Sequence, residues 1–337
     1  MMTLRRKIWG ALITLVLILP ICSCQKDDDE VPVIEPIADN SLPSAAILNI
    51  VLLEKKASEI RFQIDVAVFR DSKNIETQLN AGHFQMDTLH LFGYDHPVAN
   101  QHTTFHNGQA ASAYSALMLL DQSGSITSTD PDNYRLDAAK IFCRNLGQNS
   151  NAALWSFAGS TYHDLVKFTT DTALLIPKIE GLRGQEGGST PLYTSQYEAI
   201  RYTALEGKRP IKSVLTFTDG EDTEYGRSAQ EVIDFALTEH VRLYNIGLGN
   251  VSANLLLGQS KATGGAFIYA KDAQQLISVF GNLGKLLDGT AQFYRTQWVV
   301  KAATGDVSLD QTGEIDHTLN ISFPFGGEID VPFSLPL

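Results

Sequence analysis

The chain has 337 residues, with 26 Lys and Arg against 38 Asp and Glu and a formal net charge of −12 at pH 7. That length suggests about two domains of roughly 100–200 residues each, and the composition is that of an ordinary globular chain with ample apolar content for cores. The acidic balance argues against nucleic acid as a partner.

The chain opens on a targeting pattern. Arg5, Arg6 and Lys7 precede an apolar stretch over residues 8–21, broken only by Gly10 and Pro20. The stretch is short for a membrane span, which needs about 20 residues, and fits the core of a signal peptide. Ile21-Cys22-Ser23-Cys24 resembles the lipobox of bacterial lipoproteins, which has an aliphatic residue at −3 and a small residue at −1 before the lipidated cysteine. The resemblance marks Cys24 as the first mature residue and the lipid attachment site. A plain secreted protein or an uncleaved anchor is the alternative. Gln25-Lys26-Asp27-Asp28-Asp29-Glu30 is similar to the export signal of surface-exposed lipoproteins in some Gram-negative bacteria, and its alternative is a solvated tether. The expectation is an outer-membrane lipoprotein, surface-exposed and held to the membrane by its N-terminal lipid. Removing residues 1–23 takes away Arg5, Arg6 and Lys7 and no acidic residue, which leaves 23 basic against 38 acidic residues, a net −15. Only Cys24 and Cys143 then remain, so no disulfide is expected. Cys143 shares a helical stripe with Ala139 and Leu146 and reads as a small core residue.

Residues 24–43 carry an acidic run and Pro32, Pro36 and Pro43, the composition of a linker. Ile60, Phe62, Ile64, Val66 and Val68 then alternate with Arg61, Gln63, Asp65 and Ala67, the period of a strand with one buried face. A short apolar run over 47–53 is its expected neighbour, 71–74 reads as a turn, and 83–91 reads as further strand. This segment, 44–112, has too few strands to close a sandwich alone. It holds His83, His90, His96, His102 and His106. Their spacing matches no compact zinc pattern, so scattered surface histidines are expected, with His102 and His106 the one pair worth testing.

From 113 to about 289 strand-like apolar runs alternate with helical patterns, as in a parallel sheet wrapped by helices. The run Ala116-Leu117-Met118-Leu119-Leu120 ends in Asp121-Gln122-Ser123-Gly124-Ser125. Ligand chemistry in open α/β sheets sits just outside the carboxyl ends of strands, and three hard oxygen donors there suit a divalent cation. Asp130-Pro131 reads as a helix start. Strands follow at 152–157 and 165–169, the latter a candidate antiparallel edge, and a helix at 171–182. Gly184-Gln185-Glu186-Gly187-Gly188-Ser189-Thr190-Pro191 places Thr190 on a glycine-rich loop at the mouth of a helix over 191–206. A second apolar strand, 214–218, ends in Asp219-Gly220. Strands at 241–248 and 266–269 and a helix around Leu276, Val279, Phe280, Leu283 and Leu287 complete the pattern. Glu221 and Asp222 read as solvated loop charges, and Trp155, Tyr193, Tyr197 and Tyr202 as packing residues.

Asp121-x-Ser123-x-Ser125, then Thr190 after Gly187-Gly188, then Asp219-Gly220 resembles the von Willebrand factor type A (vWA) domain, over residues 113–289 or about half the chain. In that family these five positions form a metal-ion-dependent adhesion site (MIDAS). The resemblance implies a Rossmann-like, six-stranded, mostly parallel sheet with helices on both faces and Mg²⁺, or Mn²⁺ or Ca²⁺, at its upper edge. It further implies that Ser123, Ser125 and Thr190 ligate through hydroxyls, and Asp121 and Asp219 directly or through waters. One position on the ion would stay exchangeable and open to an Asp or Glu carboxylate of a partner protein.

Period two returns after Gly289, at 293–300, at His317, Leu319, Ile321 and Phe323, and, past a Gly326-Gly327 turn, at Ile329, Val331, Phe333 and Leu335. Pro332 suits an edge strand. The economical arrangement joins 44–112 and 290–337 in one β-sandwich with the vWA domain inserted between them. The functional expectation is a non-enzymatic, metal-dependent protein-binding or adhesion module on an envelope-anchored lipoprotein. The alternatives are a structural subunit of an envelope or surface assembly with one fixed partner and, behind it, a metal-dependent hydrolase. Gly-x-Ser-x-Gly, His-Glu-x-x-His and Walker-type patterns are absent from the sequence, and no candidate base stands beside the five donors.

Overall fold

The computed structural model describes residues 41–249, 251–303 and 307–337. The signal-peptide pattern, the lipobox with Cys24 and the acidic run lie outside the described residues. Two long strands come first, β1 (Ser44–Lys55) and β2 (Glu59–Phe69), paired antiparallel as the alternation predicts. The turn after them is closed by Asp71, whose Oδ1 accepts from the Lys73 and Asn74 amides at 2.8 and 2.9 Å. The expected strand over 83–91 is broken. A 3-10 turn at Ala81–His83, capped by the Asn80 side chain, precedes β3 (Phe84–Gln85) and β4 (Leu89–Leu91). β5 (Tyr94–His96) and β6 (Val98–His106) follow.

The alternating half then runs β7 (Tyr114–Asp121), α1 (Ile126–Thr129), α2 (Tyr134–Arg144), β8 (Asn151–Ala158), β9 (Thr161–Thr169) and α3 (Thr172–Glu180). It continues with α4 (Leu192–Glu206), β10 (Ile211–Thr218), α5 (Ala229–Thr238), β11 (Arg242–Leu248), α6 (Ala253–Thr263), β12 (Phe267–Ala270) and α7 (Gln275–Asp288). The tail is β13 (Phe293–Lys301), β14 (Glu314–Ser322) and β15 (Glu328–Pro336). The helix expected at Asp130-Pro131 starts later, at Tyr134. Asp130 still caps it from upstream, its carboxylate accepting from the Tyr134 and Arg135 amides at 2.7 and 3.0 Å.

The main sheet of the described residues has ten strands in the order β6-β13-β2-β1-β12-β11-β10-β7-β8-β9. The six strands of the alternating half sit together: β12, β11, β10, β7 and β8 run parallel, and β9 closes the edge antiparallel. All eight residues of β7 are buried, as expected of a parallel strand covered on both faces. Successive side chains of β7 point to opposite faces. Ala116, Met118 and Leu120 meet α2, α3 and α7, whereas Leu117 and Leu119 join the core under α4, α5 and α6. Cys143 is buried in the first of these cores, and burial pushes its thiol up to about 12. Trp155 stacks on Tyr162 with ring centres 4.9 Å apart, and Tyr197 on Phe235 at 4.2 Å, so these aromatics pack as expected.

The flanking segments differ from a free-standing sandwich. β14 pairs with β15 and β3 in a three-stranded sheet whose apolar face packs on β2 and β13; Phe62 and Phe333 meet at 5.9 Å. The other layer of that sandwich is the main sheet itself. β1 pairs antiparallel with β12 through Ala45–Tyr269, Ala46–Ile268 and Ile47–Phe267. Backbone hydrogen bonds therefore run without interruption from the flanking strands into the alternating half. The physical reason is the open edge of β12, whose unpaired amides and carbonyls need partners.

Candidate metal centre

The five candidate donors come from three segments that the parallel register brings level. Leu120 of β7 lies opposite Phe217 of β10, so Asp121 ends its strand beside Thr218, and Asp219 stands one residue beyond. Ser125 Oγ donates to Asp219 Oδ1 at 2.8 Å, and Ser123 Oγ lies 3.1 Å from Ser125 Oγ. A Cβ built on Gly220 would sit 3.9 Å from Ser125 Oγ and 4.0 Å from Thr190 Oγ1, so the Thr190 hydroxyl reaches the same spot from the glycine-rich loop. Asp121, Ser123, Thr190 and Asp219 are all buried.

Two backbone hydrogen bonds dock that loop: Gly187 N donates to Gln122 O at 2.8 Å and Gly124 N to Gly188 O at 3.0 Å. Gly188 adopts φ +81°, and a Cβ there would come within 2.9 Å of the Gly159 backbone. Only glycine meets both demands without strain. Ser189 Oγ donates to Gly159 O at 2.7 Å and to Glu224 Oε1, and Thr190 N donates to Thr223 Oγ1 at 2.8 Å.

Burial pushes the Asp121 carboxyl up to about 6, with a contribution from the Asp219 charge, although the Ser123 amide and the Thr218 hydroxyl donate to it at 2.8 and 2.7 Å. Two carboxylates and three hydroxyls thus converge with no cationic side chain among them. Such a set fits a hard divalent cation, which takes oxygen ligands and would relieve the buried negative charge. Among the described residues no group of three or more His, Cys, Asp or Glu forms a metal cluster. The five histidines lie apart, and four of them have separate partners. His83 Nδ1 accepts from Asn80 N, His90 faces Asp95 at 2.8 Å, His96 is buried against Leu91 O, and His106 stacks on Phe293. His102 and His106 sit four residues apart on β6, about 13 Å at the strand rise, too far to share one ion.

Several residues of the site are not evident in the sequence. Thr129, at the end of α1, donates to Asp219 Oδ2. Thr218 bridges Asp121 to the 219–220 turn. Asp222 is half-buried, and its Oδ1 accepts from Tyr193 N at 3.0 Å, so it caps α4 rather than being a free loop charge; Glu221 is exposed. Arg135, fully buried on the apolar side of α2, reaches Glu186 Oε1 at 2.5 Å. Burial opposes ionisation of Glu186, but the hydrogen bond and charge of Arg135 outweigh it and hold that carboxyl below its ordinary range.

Residues 117–282 match the family model of the von Willebrand factor type A domain. The middle of the chain has the α/β vWA fold. The same region is similar to human calcium-activated chloride channel regulator 4, with 28% identity over 183 residues, 49% of this chain and 18% of that protein. The chain thus spans less than a fifth of the length of that relative. Among solved structures, a von Willebrand factor type A protein from Catenulispora acidiphila shares 14% identity, covering 88% of this chain and 75% of that one with a TM-score of 0.45. Proximal thread matrix protein 1 from the mussel byssus, with a zinc-occupied MIDAS motif, shares 17% identity over 57% of this chain and 49% of that one, TM-score 0.46. Among the described residues no helix is long and apolar enough to cross a membrane.

Proposed function

We propose that the vWA domain of this chain is a metal-dependent protein-binding module, carried on the cell envelope by a lipid at Cys24. The observation that supports it is the convergence of Asp121, Ser123, Ser125, Thr190 and Asp219 at the carboxyl edge of the sheet. Those five residues would hold Mg²⁺, with Mn²⁺ or Ca²⁺ as the other ions an all-oxygen set accepts. When bound, such an ion supplies an exchangeable position that an Asp or Glu carboxylate of a partner protein can fill. Thr218 and Thr129 orient the two carboxylates, and the docked glycine-rich loop delivers the Thr190 hydroxyl. The further carboxylates around this centre, Asp222, Glu186 and Glu224, are engaged by the Tyr193 amide, Arg135 and the Ser189 hydroxyl, which favours holding a partner over acting as a general base.

Asp121→Ala and a chelator are each expected to abolish partner capture by the immobilised chain in Mg²⁺ buffer. Capture that survives both would overturn this reading. Comparing partners retained from the protein's own membranes with matrix proteins separates an adhesin from a subunit of an envelope assembly.

A further inference from the structure

Arg135 touches two of the three donor-bearing segments, the 121–125 loop through Gln122 and the glycine-rich loop through Glu186, and also Asp130, which follows α1. Arg135 occupies the first turn of α2 and is fully buried, where an aliphatic side chain would ordinarily complete the core. Its Nη1 donates to Asp130 Oδ2 at 3.0 Å and to Asn133 Oδ1 at 2.9 Å, and its Nη2 to Gln122 Oε1 at 2.9 Å and Glu186 Oε1 at 2.5 Å. Gln122 lies between Asp121 and Ser123. Asp130 directly follows Thr129, the donor to Asp219. Glu186 belongs to the loop that ends in Thr190. Burying a guanidinium is expensive unless its partners are well placed, and four oxygen acceptors face its two Nη atoms.

The loop at the far end of this clamp has little stiffness of its own. Gly184 and Gly188 adopt φ +74° and +81°, and Gly187 lies between them. Its far end is tied down by Ser189. On the side of the Asp121 loop, the side-chain anchor is the Glu186–Arg135 pair, and the two backbone hydrogen bonds across the seam form only when the loop is docked.

We propose that Arg135 is a positioning residue for the cation site: through its ion pair with Glu186 it sets the spacing between the 121–125 loop and Thr190. This rests on the reading that the five donors hold a cation. Residues that orient metal ligands from outside the coordination shell typically change affinity by 10–100-fold when lost.

The test compares full-length wild type, Glu186→Gln and Arg135→Lys with Glu180→Gln, which loses two surface ion pairs, to Lys140 on α2 and to Arg183 in the turn after α3, and bonds none of the five donors. Mg²⁺ affinity is measured by calorimetric titration, and amide exchange is followed in chelator. Glu186→Gln should weaken Mg²⁺ by about 10–100-fold and speed exchange of the Gly124 and Gly187 amides even without metal, with thermal unfolding nearly unchanged. Arg135→Lys, which keeps the charge but not the fork, should do at least as much, and Glu180→Gln should match wild type. Wild-type Mg²⁺ affinity and unchanged exchange in Glu186→Gln would overturn the role of Arg135 alone. Absence of saturable Mg²⁺ uptake by the wild-type chain would overturn the site reading, and the positioning role with it.

Discussion

Asp121→Asn is expected to stabilise the chelated protein while removing its ability to hold a cation. Asp121 is fully buried, and its carboxyl is raised from 3.8 to about 6 chiefly by that burial. A native value above the unfolded one means that the folded state binds this proton more tightly. The Asp121 contribution to stability is therefore fully present below about pH 4 and is lost as pH rises through 6. At pH 7 the ionised group opposes folding by on the order of 2–3 kcal/mol, at about 1.4 kcal/mol per unit. Asparagine removes that opposition. Ser123 N still meets an acceptor, and the Thr218 hydroxyl keeps Gly220 O at 3.2 Å. Loss of one of the two anionic donors should weaken cation binding by at least about 100-fold, or roughly 2.7 kcal/mol. Denaturant melts in chelator at pH 7 and pH 5 check the first part, since the gap between variant and wild type should narrow at pH 5. A less stable Asp121→Asn at pH 7 would contradict it. A more stable variant would mean that the carboxylate is present for its chemistry and at the expense of the fold, as functional groups often are.

Trp298→Ala should lower stability by about 3–5 kcal/mol, the range for truncating a large buried aromatic. Trp298 is 2% exposed, and its indole nitrogen donates to Thr296 Oγ1 at 2.8 Å. It lies on β13, six strand positions from β7 and roughly 25–30 Å away at normal strand spacing. Its core continues under β2 and β1 to Leu117 and Leu119 of β7. Because β1 is hydrogen-bonded to β12, the flanking strands and the vWA strands should unfold together, and the substitution should shift one transition. Calorimetry that resolves two transitions, with only one moved by Trp298→Ala, would show that the β1–β12 seam does not couple the two halves.

The alternating half was legible because its physics is local. An uninterrupted apolar run such as 116–120 has the pattern of a doubly covered strand, and the donors stand where such strands end. The joining of β1 to β12 was not legible, because an edge strand pairs through its backbone, and the side chains of 44–55 read the same whichever strand lies beside them. The shifted start of α2 had a similar origin: Asp130 serves as a cap from four residues upstream of Tyr134, across a turn that Asn133 makes at φ +61°. Among the site residues, the five donors share one chemistry and could be collected from the sequence. Thr129, Thr218 and Asp222 could not, since a lone hydroxyl or carboxylate gains its role from what it faces. Arg135 left one sign, a charge on the apolar stripe it shares with Ala139 and Phe142, where a buried cation needs anionic partners close by.

The central claim is that Asp121, Ser123, Ser125, Thr190 and Asp219 together hold one divalent cation. Calorimetric titration of Mg²⁺ and Mn²⁺ into the chelator-stripped, full-length chain tests it most directly. The expected result is saturation at one ion per chain, weakened in Thr190→Val and absent in Asp121→Asn. Failure of the wild-type chain to take up either ion, or equal uptake by wild type and Asp121→Asn, would contradict it.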